Sequence, residues 1–436
     1  MTLSRRQFIA TSAIAAGTVV MTPFGRAMAA PAAVPAEVVA TPTPVSGADG
    51  VLDKVLAGLP PFNAGDEIRV VKVKKGTYNR KLPIRMPSGV KLVVAAGTKF
   101  VLLSKGTQDA LLRIENVNNV TIVGGTWDGN KKIVKAKTEW RHAIVVHASD
   151  TVTIQGVKAC NAKGDGIYIG TDTTPCTNVT VTGVSCYSNA RAGMAVTACN
   201  GLTCTSSKFY SNKGEAPEAG VVIEPHLHAG LPASVIDNVV FNTCDFYSNA
   251  GRGFLAVMQQ SSSLTPETGI TLLNCKYRNN GRAKKDASAA GIALLRPRLV
   301  TVTGGTSSGN KYGVYILGKR SESQDLNAPV SGTVNLNGLA VVSNLLEGVI
   351  VQSAVSSLQL KNTTIKYNSR KKKYAYDGLR IKQGDNVQVT GGGIVTKHRY
   401  GVYADPGVTG VVLTGTNLTG NKKGKVYAKG ASVTVA

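Results

Sequence analysis

A short segment near the middle of the chain carries side chains that can exchange protons: Glu224, His226 and His228. Carboxylates and imidazoles act as general acids and bases, and a nearby cation stabilises negative charge that develops on a substrate. Arg191 and Arg252 supply such cations before and after the segment. We therefore predict a catalytic site in which His226 takes a proton, Glu224 orients His226 or protonates a leaving oxygen, and the two arginines neutralise an acidic substrate.

Further residues are expected to bind substrate around this segment. They are His228, Lys213, Asp165, Tyr168, Arg296, Arg380 and Lys382. The competing interpretation is that Glu224 and Arg252 form a surface ion pair between repeats and that Asp165 stabilises a turn. Both interpretations require a scaffold that brings together residues far apart in the sequence.

That scaffold is indicated by a repeat in which a glycine precedes an apolar, a variable and a second apolar residue. Copies begin at Gly166, Gly193, Gly220, Gly253, Gly291, Gly313, Gly348, Gly378 and Gly401, and Ala143 takes the place of the glycine in an earlier copy. The copies lie 22 to 38 residues apart, and no useful length of chain has helical periodicity. A short strand recurring at such intervals predicts stacked coils of parallel strands.

The repeat also predicts which side chains face the core. Side chains alternate along a strand, so positions one and three after the glycine should point inward, and positions two and four should face solvent. Position four reads down the stack as His147, Gly170, Thr197, Glu224, Val257, Leu295, Leu317, Gln352 and Lys382. Glu224 is thus predicted to lie on an exposed column with neighbours one coil away.

Polar turns ending in asparagine recur between the strands. They end at Asn189, Asn212, Asn249, Asn279 and Asn368. Asparagine tolerates a left-handed backbone and can hydrogen-bond neighbouring main chain, so we expect these residues to stack into a ladder.

The composition favours an anionic partner. The formal net charge is +25, with 50 Lys and Arg against 25 Asp and Glu. Such an excess attracts polyanions, although charge alone does not separate a nucleic acid from a uronate polymer. The seven cysteines show no CxxC pairs typical of a zinc site, and we interpret most of them as buried core thiols.

The N-terminus resembles a twin-arginine export signal. Arg5 and Arg6 precede an apolar run that continues to Val20, and residues 27–29 offer a small-residue cleavage site. The apolar run is too short to remain as a membrane span. The predicted segments are a signal peptide (1–29), a linker (30–46), an N-terminal cap with the first coils (47–112) and the coil stack (113–436).

Three stretches of the chain resemble known families. Residues 75–78, 82–90 and 125–130 resemble the opening coils of the pectate-lyase-like superfamily. With the coil repeat, this resemblance covers nearly all of the chain after the signal. It implies an all-β fold, a single-stranded right-handed parallel β-helix with a short N-terminal helical cap at 51–59.

The run from Ala219 to His226 resembles the active coil of mannuronan C5-epimerases, which reads Tyr-Gly-Phe-Asp-Pro-His and whose Asp and His are catalytic. The resemblance places Glu224 at the Asp and His226 at the His. The tyrosine of that family falls on Val221, which cannot transfer a proton, so His228 and Tyr168 are candidate substitutes. Separately, residues 380–382 match the Arg-Ile-Lys tripeptide of polygalacturonases.

We therefore expect an exported enzyme, periplasmic or extracellular, that acts on an acidic, uronate-containing polysaccharide by removing the proton next to the carboxylate. A lyase is favoured over a C5-epimerase. A polygalacturonase-like hydrolase and a non-catalytic polysaccharide-binding β-helix are the alternatives. Calcium assists several pectate lyases, but no cluster of acids supports a site here, so we expect no metal. We also expect a monomer with no nucleic-acid partner and, after signal removal, no membrane contact.

Overall fold

The computed structural model describes residues 38–40, 50–106, 110–136, 138–171, 174–225, 234–258, 269–283, 286–318, 332–353 and 355–436. Within these residues three parallel sheets contain 15, 13 and 12 strands. The chain passes from the 15-stranded sheet to the 12-stranded and then to the 13-stranded sheet, and each strand pairs with its equivalent one coil later. The predicted parallel β-helix is confirmed.

The strands of each sheet are as follows in chain order. The 15-stranded sheet contains Val38–Ala40, Arg69–Val73, Val90–Val94, Asn118–Val123, Asp150–Gln155, Cys176–Thr182, Cys199–Thr205, Ile236–Asn242, Gly269–Leu273, Leu299–Thr303, Thr333–Asn337, Ser357–Lys361, Val387–Thr390, Val411–Thr414 and Val433–Val435. The 12-stranded sheet contains Thr77–Arg80, Lys99–Leu102, Thr126–Asp128, Lys158–Cys160, Ser185–Tyr187, Lys208–Tyr210, Asp245–Tyr247, Lys276–Arg278, Thr306–Ser308, Ala340–Val342, Thr364–Lys366 and Gly393–Val395. The 13-stranded sheet contains Ile84–Arg85, Leu112–Glu115, Ile144–His147, Ile167–Ile169, Ala192–Val196, Ala219–Ile223, Phe254–Val257, Ala290–Leu295, Tyr312–Leu317, Val349–Ser353, Leu379–Ile381, Tyr400–Ala404 and Gly424–Tyr427.

A helix at Val51–Ala57 forms the predicted N-terminal cap and ends two residues earlier than expected. Leu52 and Leu56 are buried on its inner face, where they cover the end of the core. Asp53 accepts a hydrogen bond from the backbone N–H of Gly50 and forms an ion pair with Arg80 at 2.6 Å. The helix therefore closes the first coil through apolar contacts and one salt bridge. A single 3₁₀ turn lies at Lys131–Ile133.

The glycine repeat predicted the core correctly but not the exposure of the outer face. Positions one and three, such as Met194 and Val196, are fully buried in the central core. Position two was expected to face solvent, yet Val222 and Leu255 there are 0% and 3% exposed and belong to a second apolar cluster on the outer face of the 13-stranded sheet. Strand alternation determines the side of the sheet to which a residue points, but not what covers that side.

The predicted asparagine ladder is present, with one member shifted. Successive amides bond to one another, for example Asn212 Nδ2 to Asn249 Oδ1 at 2.9 Å and Asn249 Nδ2 to Asn280 Oδ1 at 3.0 Å. Asn280, rather than the predicted Asn279, is the ladder residue of its coil. Asn279 has a φ of 57° and supplies the left-handed corner, a place that Ser248 takes in the preceding coil. All seven cysteines are buried free thiols, as expected for core residues.

Candidate functional site

Four ring side chains gather on the outer face of the 13-stranded sheet. Tyr168 is stacked with His142 at 4.7 Å between ring centroids and meets the edge of His147 at 5.4 Å. Trp140 lies 6.1 Å from Tyr168 and leaves 47% of its surface exposed. The hydroxyl group of Tyr168 hydrogen-bonds to Thr197 at 3.0 Å, which fixes the ring. We call Trp140, His142, His147 and Tyr168 the aromatic cluster.

The two histidines of this cluster differ in access and in hydrogen bonding. The Nδ1 atom of His142 accepts the backbone N–H of Asp165 at 3.0 Å, and the ring is buried. Its Nε2 is buried with no hydrogen-bond partner. The side chain of His147 is 32% exposed, and its Nδ1 lies 3.6 Å from Glu115. His147 is therefore the accessible imidazole of the cluster, and the carboxylate of Glu115 lies beside its Nδ1 atom.

A group of charges adjoins the aromatic cluster through Asp165, and Arg191 is its centre. Its guanidinium lies 3.3 Å from Asp165, 2.9 Å from Glu224 and 3.5 Å from Glu139. Burial opposes the charge of Arg191, but the carboxylates of Asp165, Glu224 and Glu139 together raise its pKa above the usual value. With three carboxylates and one cation, this carboxylate–arginine network is net negative and does not favour binding of a further carboxylate.

Asp165 is fully buried, so it anchors Arg191 rather than contacting a substrate. Its second oxygen accepts the N–H of Ala192 at 2.9 Å. The same arrangement recurs near the other end of the stack, where Asp377 accepts the N–H of Tyr400 at 3.1 Å and binds Arg399 at 2.6 Å. Because the same contacts recur at equivalent positions of two coil pairs, we interpret each set as a structural link between neighbouring coils and call it a staple.

The competing interpretation, in which Glu224 forms an ion pair with Arg252, is wrong. Glu224 binds Arg191 of the preceding coil, and Arg252 binds Asp286 at 2.5 Å and the hydroxyl group of Ser288. The two arginines differ because Arg191 lies two residues before its glycine and Arg252 only one, so their side chains leave the corner in different directions. Both guanidinium groups are thus occupied by carboxylates.

The remaining predicted residues are spread along the stack. Lys213 is exposed and lines a cavity of about 580 Å³ with Arg282. Arg296 follows the strand Ala290–Leu295 with a φ of 54°. Arg380 lies over the ring of Tyr403 at 5.2 Å and is 3.4 Å from Asp405.

Lys382 is half-buried one residue after the strand Leu379–Ile381. One coil earlier the predicted column of position-four residues is interrupted, because Leu317 pairs with Ser353 and not with Gln352. His226 and His228 lie outside the described residues. Of the predicted site, the structure therefore brings together Asp165, Arg191, Glu224 and, through His142, Tyr168.

The coils before His147 carry cations on the same outer face. In the strand register of the 13-stranded sheet, Arg85 lies beside Arg113, Arg113 beside Val145, and Val145 beside Tyr168. Glu115 receives Arg85 at 2.7 Å and Arg113 at 2.5 Å. Two arginines and one glutamate leave this end of the face net positive. A polyanion is therefore attracted toward His147 from the N-terminal side.

Sequence reasoning missed Trp140 and left His147 without a role. One signal was available for Trp140, since it is one of only two tryptophans and directly precedes Arg141-His142. Within the described part of the chain no three His, Cys, Asp or Glu side chains are close enough to hold a metal ion. The same residues include no helix long and apolar enough to cross a bilayer.

The stacked parallel coils define a β-helix protein. The family described as "Right handed beta helix region" matches residues 104–224 and 142–334, which together span more than half of the chain. The chain belongs to this right-handed β-helix family.

Known proteins share this fold at low identity. The A-module of mannuronan C-5 epimerase AlgE4 from Azotobacter vinelandii superimposes with a TM-score of 0.58 at 16% identity, covering 84% of this chain and 91% of that module. The pre-mature gene product 12 of bacteriophage phi29 gives a TM-score of 0.51 at 14% identity, covering 88% of this chain and 53% of that one. These two likenesses concern the fold alone.

A sequence relative is the uncharacterized SPbeta prophage-derived protein YorA of Bacillus subtilis (strain 168). It is 24% identical over 297 residues, which cover 57% of this chain and 50% of YorA. The match thus spans half the length of that relative.

Proposed function

We propose that this protein is an exported enzyme that acts on an acidic, uronate-containing polysaccharide by removing the proton next to the carboxylate. The observation that carries the proposal is the position of His147. The strand of this accessible imidazole follows the strands of Arg85 and Arg113 and precedes the strand of Tyr168, and the register partner of His147 on the preceding coil is Glu115. Cations, a base and an aromatic ring therefore lie on successive strands of one sheet, which are spaced by about 4.8 Å per coil.

Each group has a defined part in this proposal. Arg85 and Arg113 share the single carboxylate of Glu115, so they keep an excess positive charge for the uronate carboxylate and lower the cost of negative charge on it as the adjacent proton leaves. Trp140 supplies the exposed apolar ring on which a sugar packs. His147 takes the proton, a carbon–carbon double bond forms, and the glycosidic oxygen leaves and receives that proton from the imidazolium. Tyr168 is a positioning residue that packs against His147.

A lyase fits this geometry better than an epimerase. Epimerisation requires that a proton return from the opposite face of the sugar ring, and therefore a second proton-transfer group across from the first. Among the described residues, Arg113, Glu115, His147 and Tyr168 all lie on neighbouring strands of the 13-stranded sheet. Elimination needs access from one side only, because one imidazole can take and return the proton.

Substitutions separate this site from the one centred on Glu224 and His226. His147→Ala should lower turnover by about 10²- to 10⁴-fold, the usual contribution of a general base, with polymer binding and circular dichroism retained. Glu224→Gln should have a much smaller effect, since Glu224 is two coils beyond Tyr168 and bound to Arg191. Wild-type turnover in His147→Ala together with near-complete loss in Glu224→Gln would move the reaction to Glu224 and His226.

A glycoside hydrolase is the second candidate, and one contact favours it. Glu139 and Glu224 both bind the guanidinium of Arg191 beside Trp140, and both are accessible, at 62% and 23%. Hydrolysis uses two carboxylates across the scissile bond, one as acid and one as base or nucleophile. If the products are reducing ends without a new double bond, and Glu139→Gln abolishes their release, the hydrolase replaces the lyase.

Export is part of the proposal and is supported by the Arg5-Arg6 signal together with the small-residue site at 27–29. A periplasmic or extracellular location would bring the enzyme to its polymer. The proposed protein has no nucleic-acid partner, requires no metal and functions as a monomer. A polysaccharide-binding protein without activity would show the same attraction to acidic polymer but no product.

A further inference from the structure

A basic groove lies in the last coils, at the corner where the 12-stranded sheet leads into the 13-stranded sheet. It encloses about 480 Å³ and is lined by Ser343, Tyr367, Arg370, Lys373 and Lys397, together with ladder-turn residues. Arg370, Lys373 and Lys397 are exposed, and none of the three pairs with a carboxylate among the described residues. No acidic side chain lines the groove.

The wall that carries two of these cations is held in place by its backbone. The N–H of Arg370 donates to the carbonyl of Asn344 at 3.1 Å, and that of Lys371 donates to Leu345 at 2.9 Å. The hydroxyl group of Ser369 donates to the carbonyl of Lys372 at 2.7 Å and accepts the N–H of Ala375 at 2.9 Å. The three lysines at 371–373 therefore belong to a hydrogen-bonded turn and not to a solvated loop. Because the backbone of this turn is already ordered, binding an anion there costs little conformational entropy.

The surroundings leave the positive charge uncompensated. Residues 361–436 contain 14 Lys and Arg against three Asp. Two of those aspartates, Asp377 and Asp405, are bound to Arg399 and Arg380 on the sheet face. The groove therefore presents a concentrated positive potential to solvent.

Cations cover the ring of Tyr367, which lines the groove, and the ring of Tyr374, which directly follows the lining residue Lys373. Lys366 and Lys397 lie over Tyr367 at 5.7 and 5.1 Å, and Lys373 and Lys422 lie over Tyr374 at 5.2 and 5.6 Å. Single-stranded nucleic acids are bound by aromatic faces on which bases stack. Because both tyrosines have ammonium groups over them, the groove offers charge and hydroxyl groups rather than a stacking surface.

We propose that this groove is a second binding site for the acidic polysaccharide, which anchors a carboxylate-bearing stretch of the polymer far from the reaction site. The proposal rests on the proposed function for the identity of the polymer. The strand at the groove, Leu379–Ile381, is eight coils from the strand of His147, which is roughly 38 Å at the strand spacing. Only a long chain reaches both places, so the groove gives a preference for polymer over short oligosaccharide.

The test compares two triple variants of equal charge loss. The groove variant is Arg370→Gln, Lys373→Gln, Lys397→Gln. The control is Lys91→Gln, Lys158→Gln, Lys208→Gln, at exposed positions on earlier coils of the 15- and 12-stranded sheets. For each, the affinity for an acidic polysaccharide such as polyuronate is measured by titration at low and physiological salt. Turnover is measured on the polymer and on an oligosaccharide too short to span both sites.

We expect the groove variant to bind polymer about tenfold more weakly at low salt, with less difference at high salt, because three attractive charges are lost and salt screens them. Its KM should rise for the polymer but not for the oligosaccharide, and the control should match the wild type. Equal weakening in both variants, or unchanged binding in the groove variant, would overturn the groove. Groove-dependent binding of single-stranded DNA but not of polyuronate would also overturn it. Failure of the proposed function is a separate result, namely no turnover of any uronate substrate by the wild-type protein.

Discussion

Asp165 and Asp377 offer a matched pair of perturbations, because the same staple occurs at two distant places. Both carboxylates are fully buried. Asp165 accepts the N–H of Ala192 and binds Arg191, and Asp377 accepts the N–H of Tyr400 and binds Arg399 in the same way. They lie seven coils apart in the 13-stranded sheet. Asp165 alone adjoins the aromatic cluster, so only its variants should affect turnover.

The structure sets the expected magnitudes. Asp165→Ala leaves the N–H of Ala192 without its acceptor and takes one of three carboxylates from Arg191, which keeps Glu224 and Glu139, so it should cost about 1.5–3 kcal/mol. Asp165→Asn keeps an acceptor for Ala192 but loses the charge, and should cost about 1 kcal/mol. Asp377→Ala should cost a similar amount to Asp165→Ala, because Arg399 loses its carboxylate but is 27% exposed, so water can solvate it.

Urea denaturation followed by circular dichroism measures these losses, and turnover on the polymer measures the local effect. Turnover should fall about tenfold in Asp165→Asn, the equivalent of about 1.4 kcal/mol of lost positioning, and stay at the wild-type level in Asp377→Asn. Equal loss of turnover in the two variants would show that coil stability, and not the position of Asp165, governs activity. An Asp165→Ala variant as stable as the wild type would refute the staple itself.

Two further predictions concern acid stability and export. His398 continues the asparagine ladder between Asn368 and Asn421, and burial lowers its pKa to about 4. Its imidazole therefore stays neutral in the folded protein, while the same side chain in the unfolded chain binds a proton near pH 6.5. The free energy of unfolding should thus be highest above pH 6.5 and fall by roughly 3 kcal/mol as the pH drops toward 4. In urea titrations at neutral and acidic pH, His398→Asn should remove this fall, and an unchanged pH dependence would assign it to other groups. Replacing Arg5-Arg6 by Lys-Lys should block export of a folded reporter fused to residues 1–46, and continued export would contradict the twin-arginine signal.

Most of the fold could be predicted because it depends on local, repeated patterns. The glycine repeat gave the inward positions, such as Ile167 and Ile169, since alternation in a strand is a property of the backbone. The ladder coil at Asn279 and Asn280 was misassigned because both asparagines satisfy the same chemistry, and only the corner geometry decides which one is left-handed. Exposure of the outer face could not be predicted, since it depends on contacts that no repeat encodes.

The site was less predictable than the fold for a related reason. The sequence singled out Glu224 and two arginines, but charge type alone could not decide whether Arg191 or Arg252 would bind Glu224. Nor could it show that Arg191 would be neutralised by Asp165, which comes from an earlier coil. The contact between His147 and Tyr168 joins two coils in neighbouring columns of the sheet, and only the three-dimensional register reveals it.

Product analysis tests the central claim most directly. The purified protein, without residues 1–29, is incubated with a panel of uronate polymers, and ultraviolet absorbance of unsaturated sugars is recorded beside reducing-end release. We expect that absorbance rises in step with reducing ends on at least one polymer, and that His147→Ala abolishes both while still binding that polymer. Reducing ends without absorbance, or a full rate in His147→Ala, would contradict proton abstraction at this site.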